Sequence, residues 1–201
     1  MKMIKPTLVL AIITTAVAAL LIFTYKATYV DTSGVITDAL QKCCEETMGE
    51  GEFEIITDWK AAGYAIEQPE NIAKLIKKSD GSVAFEIIAD GYEKDGLDLL
   101  IAMNEDGTVK DVAAVSVSDT PGLGSRVQDR SFLDQFRNAD GAVIAGGSSG
   151  GLYKGEKQSD SSVSADAAQI KAVTSATYSS KGVVSAVNLA VSTYAEMRGA
   201  K

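Results

Sequence analysis

Twenty consecutive uncharged residues, Pro6 to Tyr25, separate Lys5 from Lys26 near the start of the chain. A helix of about twenty apolar residues spans the hydrocarbon core of a bilayer. Thr14 and Thr15 lie within the run, but a hydroxyl returned to a backbone carbonyl lets them sit in lipid. Lys2 and Lys5 flank one end, Tyr25 and Lys26 the other, and the first acid is Asp31. The positive-inside rule then predicts a cytoplasmic N-terminus, with residues from about 27 onward outside the cytoplasm. The rival reading is a cleaved signal peptide. Against it, the run is longer than a usual signal core, and Tyr-Lys-Ala before Thr28 lacks small residues at both cleavage positions. Residues 1–26 therefore read as an uncleaved single-pass anchor.

The remainder is long enough for one ordinary globular domain, and an apolar fraction of 46% is that of a folded chain. There is no histidine. That excludes Ser-His-Asp and Cys-His catalysis, His-rich zinc sites and histidine proton shuttles together. Setting aside Lys2, Lys5 and Lys26 leaves 16 basic against 27 acidic side chains. So acidic a domain repels phosphate backbones, and no nucleic-acid role is expected. Cys43 and Cys44 are adjacent, a spacing that strains a disulfide and forms no metal knuckle. They read as thiols of a helix, one buried and one near its edge.

Periodicity sketches the rest. Val35 to Met48 reads as a helix with Thr32 and Ser33 as caps, and Glu52 to Trp59 alternates like a strand. Pro69 followed by Glu-Asn-Ile-Ala-Lys-Leu-Ile-Lys-Lys reads as a short helix with proline in its first turn. Ser82–Ile88, Leu97–Met103 and Val109–Val117 read as strands, the last two joined by a hairpin at Asp106-Gly107. A helical Ser131–Asn138 segment comes next, then a polar, glycine-rich loop, then a helix from about Ser179 to Arg198 with Gly199 as its stop. The fold class is α+β, an antiparallel sheet with packed helices behind one transmembrane helix. Residues 27–80 form a membrane-proximal helical and strand region, and residues 81–201 a core.

Two segments carry candidate chemistry. Asp119-Thr120-Pro121-Gly122-Leu123-Gly124 directly follows a strand. Proline and two glycines make a sharp turn whose amides can approach a ligand closely, or simply a tight turn. It lacks the third glycine of a dinucleotide fingerprint, and Gly146 to Lys157 lacks the Gly-Lys-Ser/Thr of a phosphate-binding loop. The second segment, Thr174-Ser175-Ala176-Thr177-Tyr178-Ser179-Ser180, precedes the last helix. Hydroxyls there can cap the helix, and free amides with the helix dipole also suit a phosphate. Residue types alone leave both readings open. Ser179 and Ser180 read first as caps and then as phosphate ligands, Tyr178 first as core.

In their order along the chain, these motifs resemble the FMN-binding domain family, found in the G subunit of Rnf complexes and the C subunit of sodium-pumping quinone reductases. That family has one N-terminal anchor, a Glu-Thr-Pro-Gly-Leu-Gly loop and a near-C-terminal Ser/Thr-Gly-Ala-Thr motif whose last threonine is esterified to the FMN phosphate. The matching positions are Asp119 to Gly124 and Thr174 to Thr177, and Gly91-Tyr92 is similar to the family's Gly-Tyr segment. Asp119 replaces the loop's glutamate, Ser175 the motif's glycine, and Lys171 a frequent acid six positions before the acceptor.

The resemblance implies covalent FMN on Thr177, with Thr174, Ser175, Ala176, Tyr178 and Ser179 around the phosphate and Thr120, Pro121, Gly122, Leu123 and Gly124 facing it. Leu123 either packs on the flavin ring or fills its own turn. It further implies a flavin transferase for maturation, other membrane subunits as partners and electron relay within an ion-translocating ferredoxin:NAD oxidoreductase. A stand-alone extracytoplasmic flavin reductase and a non-redox anchored assembly module are the alternatives.

Overall fold

The computed structural model describes residues 4–28, 34–64, 66–144 and 167–199. The chain divides into two compact units, Met1–Thr32 and Ser33–Lys201. The first contains one helix, α1 (Ile4–Thr28). Its hydroxyls are returned to the backbone, Thr14 Oγ1 donating to Leu10 O at 3.1 Å and Thr15 Oγ1 to Ala11 O at 2.8 Å. Its 22 residues from Thr7 to Thr28 are long and apolar enough to cross a membrane.

The second unit holds a five-stranded antiparallel sheet in the order β1 (Phe53–Ile56), β2 (Ile72–Lys78), β3 (Val83–Ala89), β4 (Leu97–Met103) and β5 (Val109–Val117). A β6–β7 pair (Ala142–Ile144, Ala168–Ile170) runs parallel beside it as a separate ladder. Both faces of the main sheet are covered. On one face, Phe85, Ile87, Leu97, Leu99 and Ile101 pack with Val183, Val184, Val187 and Ala190 of α4 (Thr177–Gly199). On the other, Ile76, Ala84, Leu100 and Ala102 pack with Leu40, Cys43, Cys44 and Met48 of α2 (Asp38–Met48). Each such side chain, fully buried, is worth roughly 1.5–3 kcal/mol for the larger aliphatics. Burial, first of all, pushes the Cys43 and Cys44 thiols up to about 11 and 12, so neither is a reactive thiolate.

The α+β expectation holds, and β3, β4 and β5 fall within a residue of where the sequence reading places them. Three local expectations do not. The stretch after Pro69 is strand β2, not a helix. Leu75 serves one core and Ile76 the other, so both faces need apolar residues and the sequence loses a diagnostic period. The first helix of this unit starts at Asp38, not Val35, because Thr37 holds extended backbone and its Oγ1 accepts from Leu40 N at 3.3 Å. The segment around Phe132 is a single α-turn, α3 (Arg130–Leu133), flanked by 3-10 turns. It is tied to β5 by Arg130, which donates to both oxygens of buried Asp111 at 2.8 Å. Asp106-Gly107 makes the expected hairpin turn, with φ +96° at Gly107 and Asn104 N donating to Thr108 O at 2.8 Å. The expected caps Thr32 and Ser33 and the glycine-rich loop at 146–157 lie outside the described residues.

Candidate functional site

Register brings the site together. Ala89 pairs with Leu97, and Leu97 with Val117, so the loops after β3 and after β5 emerge at the same end of the sheet. The α4 helix reaches that end through Gly182, where any Cβ would overlap the Asp90 carbonyl and come within 2.7 Å of Leu97. Only glycine allows this approach of helix to loop.

The loop after β5 is a four-residue turn in which Leu123 N donates to Thr120 O at 3.1 Å. Pro121 occupies its second position and Gly122, at φ +76°, its third. That is the type II pattern, which requires a residue tolerant of positive φ at the third position. Ser125 Oγ accepts from Gly122 N at 2.9 Å and closes the turn.

Asp119 binds this turn to its neighbour. Its side chain is 2% exposed, and its carboxylate accepts from Tyr92 N at 3.1 Å and Glu93 N at 2.8 Å. Three glycines crowd around it. A Cβ at Gly91 would overlap the carboxylate, one at Gly96 would lie 3.0 Å from it, and one at Gly124 2.8 Å from the Asp119 Cβ. In the sequence Asp119 is marked only as a replaced glutamate. Its function as a clamp shows only when the two loops are seen side by side.

The third wall is the turn into α4. Ala176 N donates to Val173 O at 3.0 Å, and Ser175 sits at φ +65°, in left-handed backbone. Ser180 Oγ accepts from Val173 N at 3.0 Å and donates to Ala176 O at 2.9 Å, bracing the turn from inside. The helix starts at Thr177, two residues earlier than periodicity predicts, so Thr177 is itself the first helical residue and is exposed.

These walls enclose a cleft of about 310 Å³, at the lower end of the roughly 300–1,000 Å³ usual for small-molecule sites. Of the residues singled out from sequence, Thr120, Leu123, Gly124, Ser175, Ala176, Thr177, Tyr178 and Ser179 line it. Pro121 and Gly122 shape the turn without lining the cleft, and Thr174 stands exposed beside it. Tyr178 is exposed rather than core, and Leu123, 47% exposed, lines the cleft. Ser180 braces and Ser179 does not cap: Ser179 is 1% exposed and its buried Oγ has no hydrogen-bond partner among the described residues. A Cβ at Gly124 would lie 2.8 Å from that Oγ. Tyr92, which the two motifs do not include, also lines the cleft.

An antiparallel sheet between two helices, with a hydroxyl-rich cleft at one end where a helix begins, defines a domain suited to holding a small phosphorylated ligand. The chain belongs to the FMN-binding domain family, whose model matches residues 91–192 and so takes in both loops and most of α4. It is also 30% identical over 126 residues to the G subunit of the proton-translocating ferredoxin:NAD(+) oxidoreductase complex of Clostridium ljungdahlii. That similarity covers 62% of this chain and 60% of the relative's length.

Proposed function

We propose that this protein is a membrane-anchored electron-relay subunit that carries FMN as an ester on Thr177, within an ion-translocating ferredoxin:NAD oxidoreductase of the Rnf type. The observation that carries the reading is the pairing of an exposed acceptor, Thr177, with a buried hydroxyl, Ser179, that has no hydrogen-bond partner among the described residues. A buried hydroxyl is costly unless something hydrogen-bonds to it, and a phosphate oxygen beside Thr177 would do so. The residues fit that end of the cofactor. First-turn amides of a helix lack intrahelical acceptors, and the dipole of α4 favours negative charge at its start. Thr174, Ser175 and Ala176 shape the approach, and Gly124, where a Cβ would lie 2.8 Å from Ser179 Oγ, lets the loop after β5 and α4 pack closely there. Thr120 and the exposed Leu123 and Tyr178 line the remaining walls, where an apolar ring can be held.

FMN, when bound, supplies one-electron redox chemistry. The chain's own residues position it, shield one end from water and need move no proton. In this reading α1 is the anchor, with the N-terminus cytoplasmic and the FMN domain extracytoplasmic. A separate flavin transferase makes the ester, and other membrane subunits give and take the electrons. The name borne by the Clostridium relative supports the choice of complex. Replacing Thr177 with Val keeps the size of the side chain and removes the acceptor. Membranes carrying T177V are expected to lose ferredoxin-linked NAD reduction while retaining the subunit, and undiminished reduction would refute the relay.

A further inference from the structure

The loop between β3 and β4 is built more firmly than a connection of seven residues requires, and it holds up one tyrosine. Asp119 accepts two of its amides, Asp90 Oδ1 accepts Asp95 N at 2.8 Å, and Gly91 N and Gly96 N both donate to Glu93 O. Ser118 N and Ser118 Oγ then converge on Gly96 O. On the far side α4 presses on Asp90 through Gly182. A loop pinned at so many points has little freedom to bury its side chains afterwards, yet Tyr92 is left 70% exposed at the mouth of the cleft. Within residues 34–199 the described large hydrophobic side chains with most exposure are few, and Tyr92, Leu123 and Tyr178 of that set all line this cleft. Leaving an aromatic ring in water on a rigid mount forgoes burial energy, which an apolar planar ligand would restore.

We propose that Tyr92 is the aromatic contact residue of the flavin site and that Asp119 is its positioning residue, acting through the backbone amides of Tyr92 and Glu93. The assignment rests on the FMN reading above and adds two residues to it. Asp119 itself has no reach into the cleft: its carboxylate is occupied by the loop amides and walled in by Gly91, Gly96 and Gly124. An electron-rich phenol held against a flavin quenches its emission, so the contact has an optical signature independent of turnover.

The test compares flavin emission of the full-length, detergent-solubilised protein with that of Y92L, D119N and the double variant, each normalised to FMN content by intact mass. Tyr92 is exposed, so Y92L leaves the fold unchanged. It is expected to carry the same FMN and to emit several-fold more strongly when folded, with no difference after denaturation. D119N loses one of the two amide acceptors and is expected to brighten in the same direction. The double variant is expected to be no brighter than Y92L, because Asp119 acts through Tyr92. Equal emission from wild type and Y92L at equal FMN content would overturn the role of Tyr92. A double variant brighter than Y92L would overturn the role of Asp119. Wild-type protein without added mass would instead overturn the FMN reading itself, a result distinct from both.

Discussion

Ser175 stands where the related motif has glycine, and it adopts φ +65°. Left-handed backbone costs an L-residue with a Cβ roughly 1–2 kcal/mol, whereas glycine enters it freely. The turn before Thr177 thus has the shape glycine would give it, held in spite of the serine by the Ser180 brace. S175G relieves the strain but adds freedom to the unfolded chain, an opposing effect of about 0.4–1 kcal/mol. Its net effect is expected to be neutral to stabilising, whereas β-branched S175V is expected to destabilise by more than about 1 kcal/mol. Urea unfolding of residues 33–201, which form their own compact unit, measures both. Stabilisation by S175V would contradict the assigned backbone strain. The motif's residues were legible in the sequence, but the strain at Ser175 was not, since it depends on a dihedral that no residue type dictates.

Among the elements, α4 matters most to the site, because it supplies both Thr177 and the face that packs on β3 and β4. Its position over the loop after β3 depends on Gly182. A methyl there would overlap the Asp90 carbonyl, a backbone atom that cannot rotate away. G182A is therefore expected to cost about 1–3 kcal/mol despite alanine's higher helix propensity. Thermal unfolding checks the sign, and a more stable G182A would contradict the packing described. The strands β3, β4 and β5 were readable as apolar runs of strand length bounded by turn residues, with Asp90-Gly91 and Asp106-Gly107 marking their ends. The β2 strand was not, because proline followed by a mix of lysines and aliphatics imitates a helix start. Nor was β6–β7, whose two strands of three residues are too short to carry a pattern and pair across an intervening segment of the chain. The cleft itself was half legible: the two motif loops were evident, while the loop of Tyr92 joins them only through sheet register and Asp119.

For the whole molecule, the sheet face under α2 carries a buried charge cluster whose effect on stability depends on pH. Lys74 Nζ lies 2.8 Å from Glu86 Oε2, and Asp98 Oδ1 is buried without a hydrogen-bond partner among the described residues. Burial, then the neighbouring Glu86, push the Asp98 carboxyl from its ordinary 3.8 up to about 6, with Lys74 opposing. The native state then holds a proton that the unfolded chain has released, so the stability contributed by protonated Asp98 falls as pH rises from about 4 to about 6. Replacing Asp98 with Asn removes that dependence. The stability of wild type relative to D98N is expected to decline across this window and level off above it, as read from denaturant unfolding at a series of pH values. A difference that does not change with pH would contradict the buried-acid assignment.

The proposed role as a redox relay turns on one proposed bond, an ester between a flavin and Thr177. Intact mass of the protein taken from its native membrane, followed by peptide mapping, reports on that bond without passing through activity. The expected result is an added mass equal to FMN less one water, located on the peptide containing Thr177 and absent from T177V. An unmodified mass from cells that attach flavin to other proteins, or an adduct that persists in T177V, would contradict it.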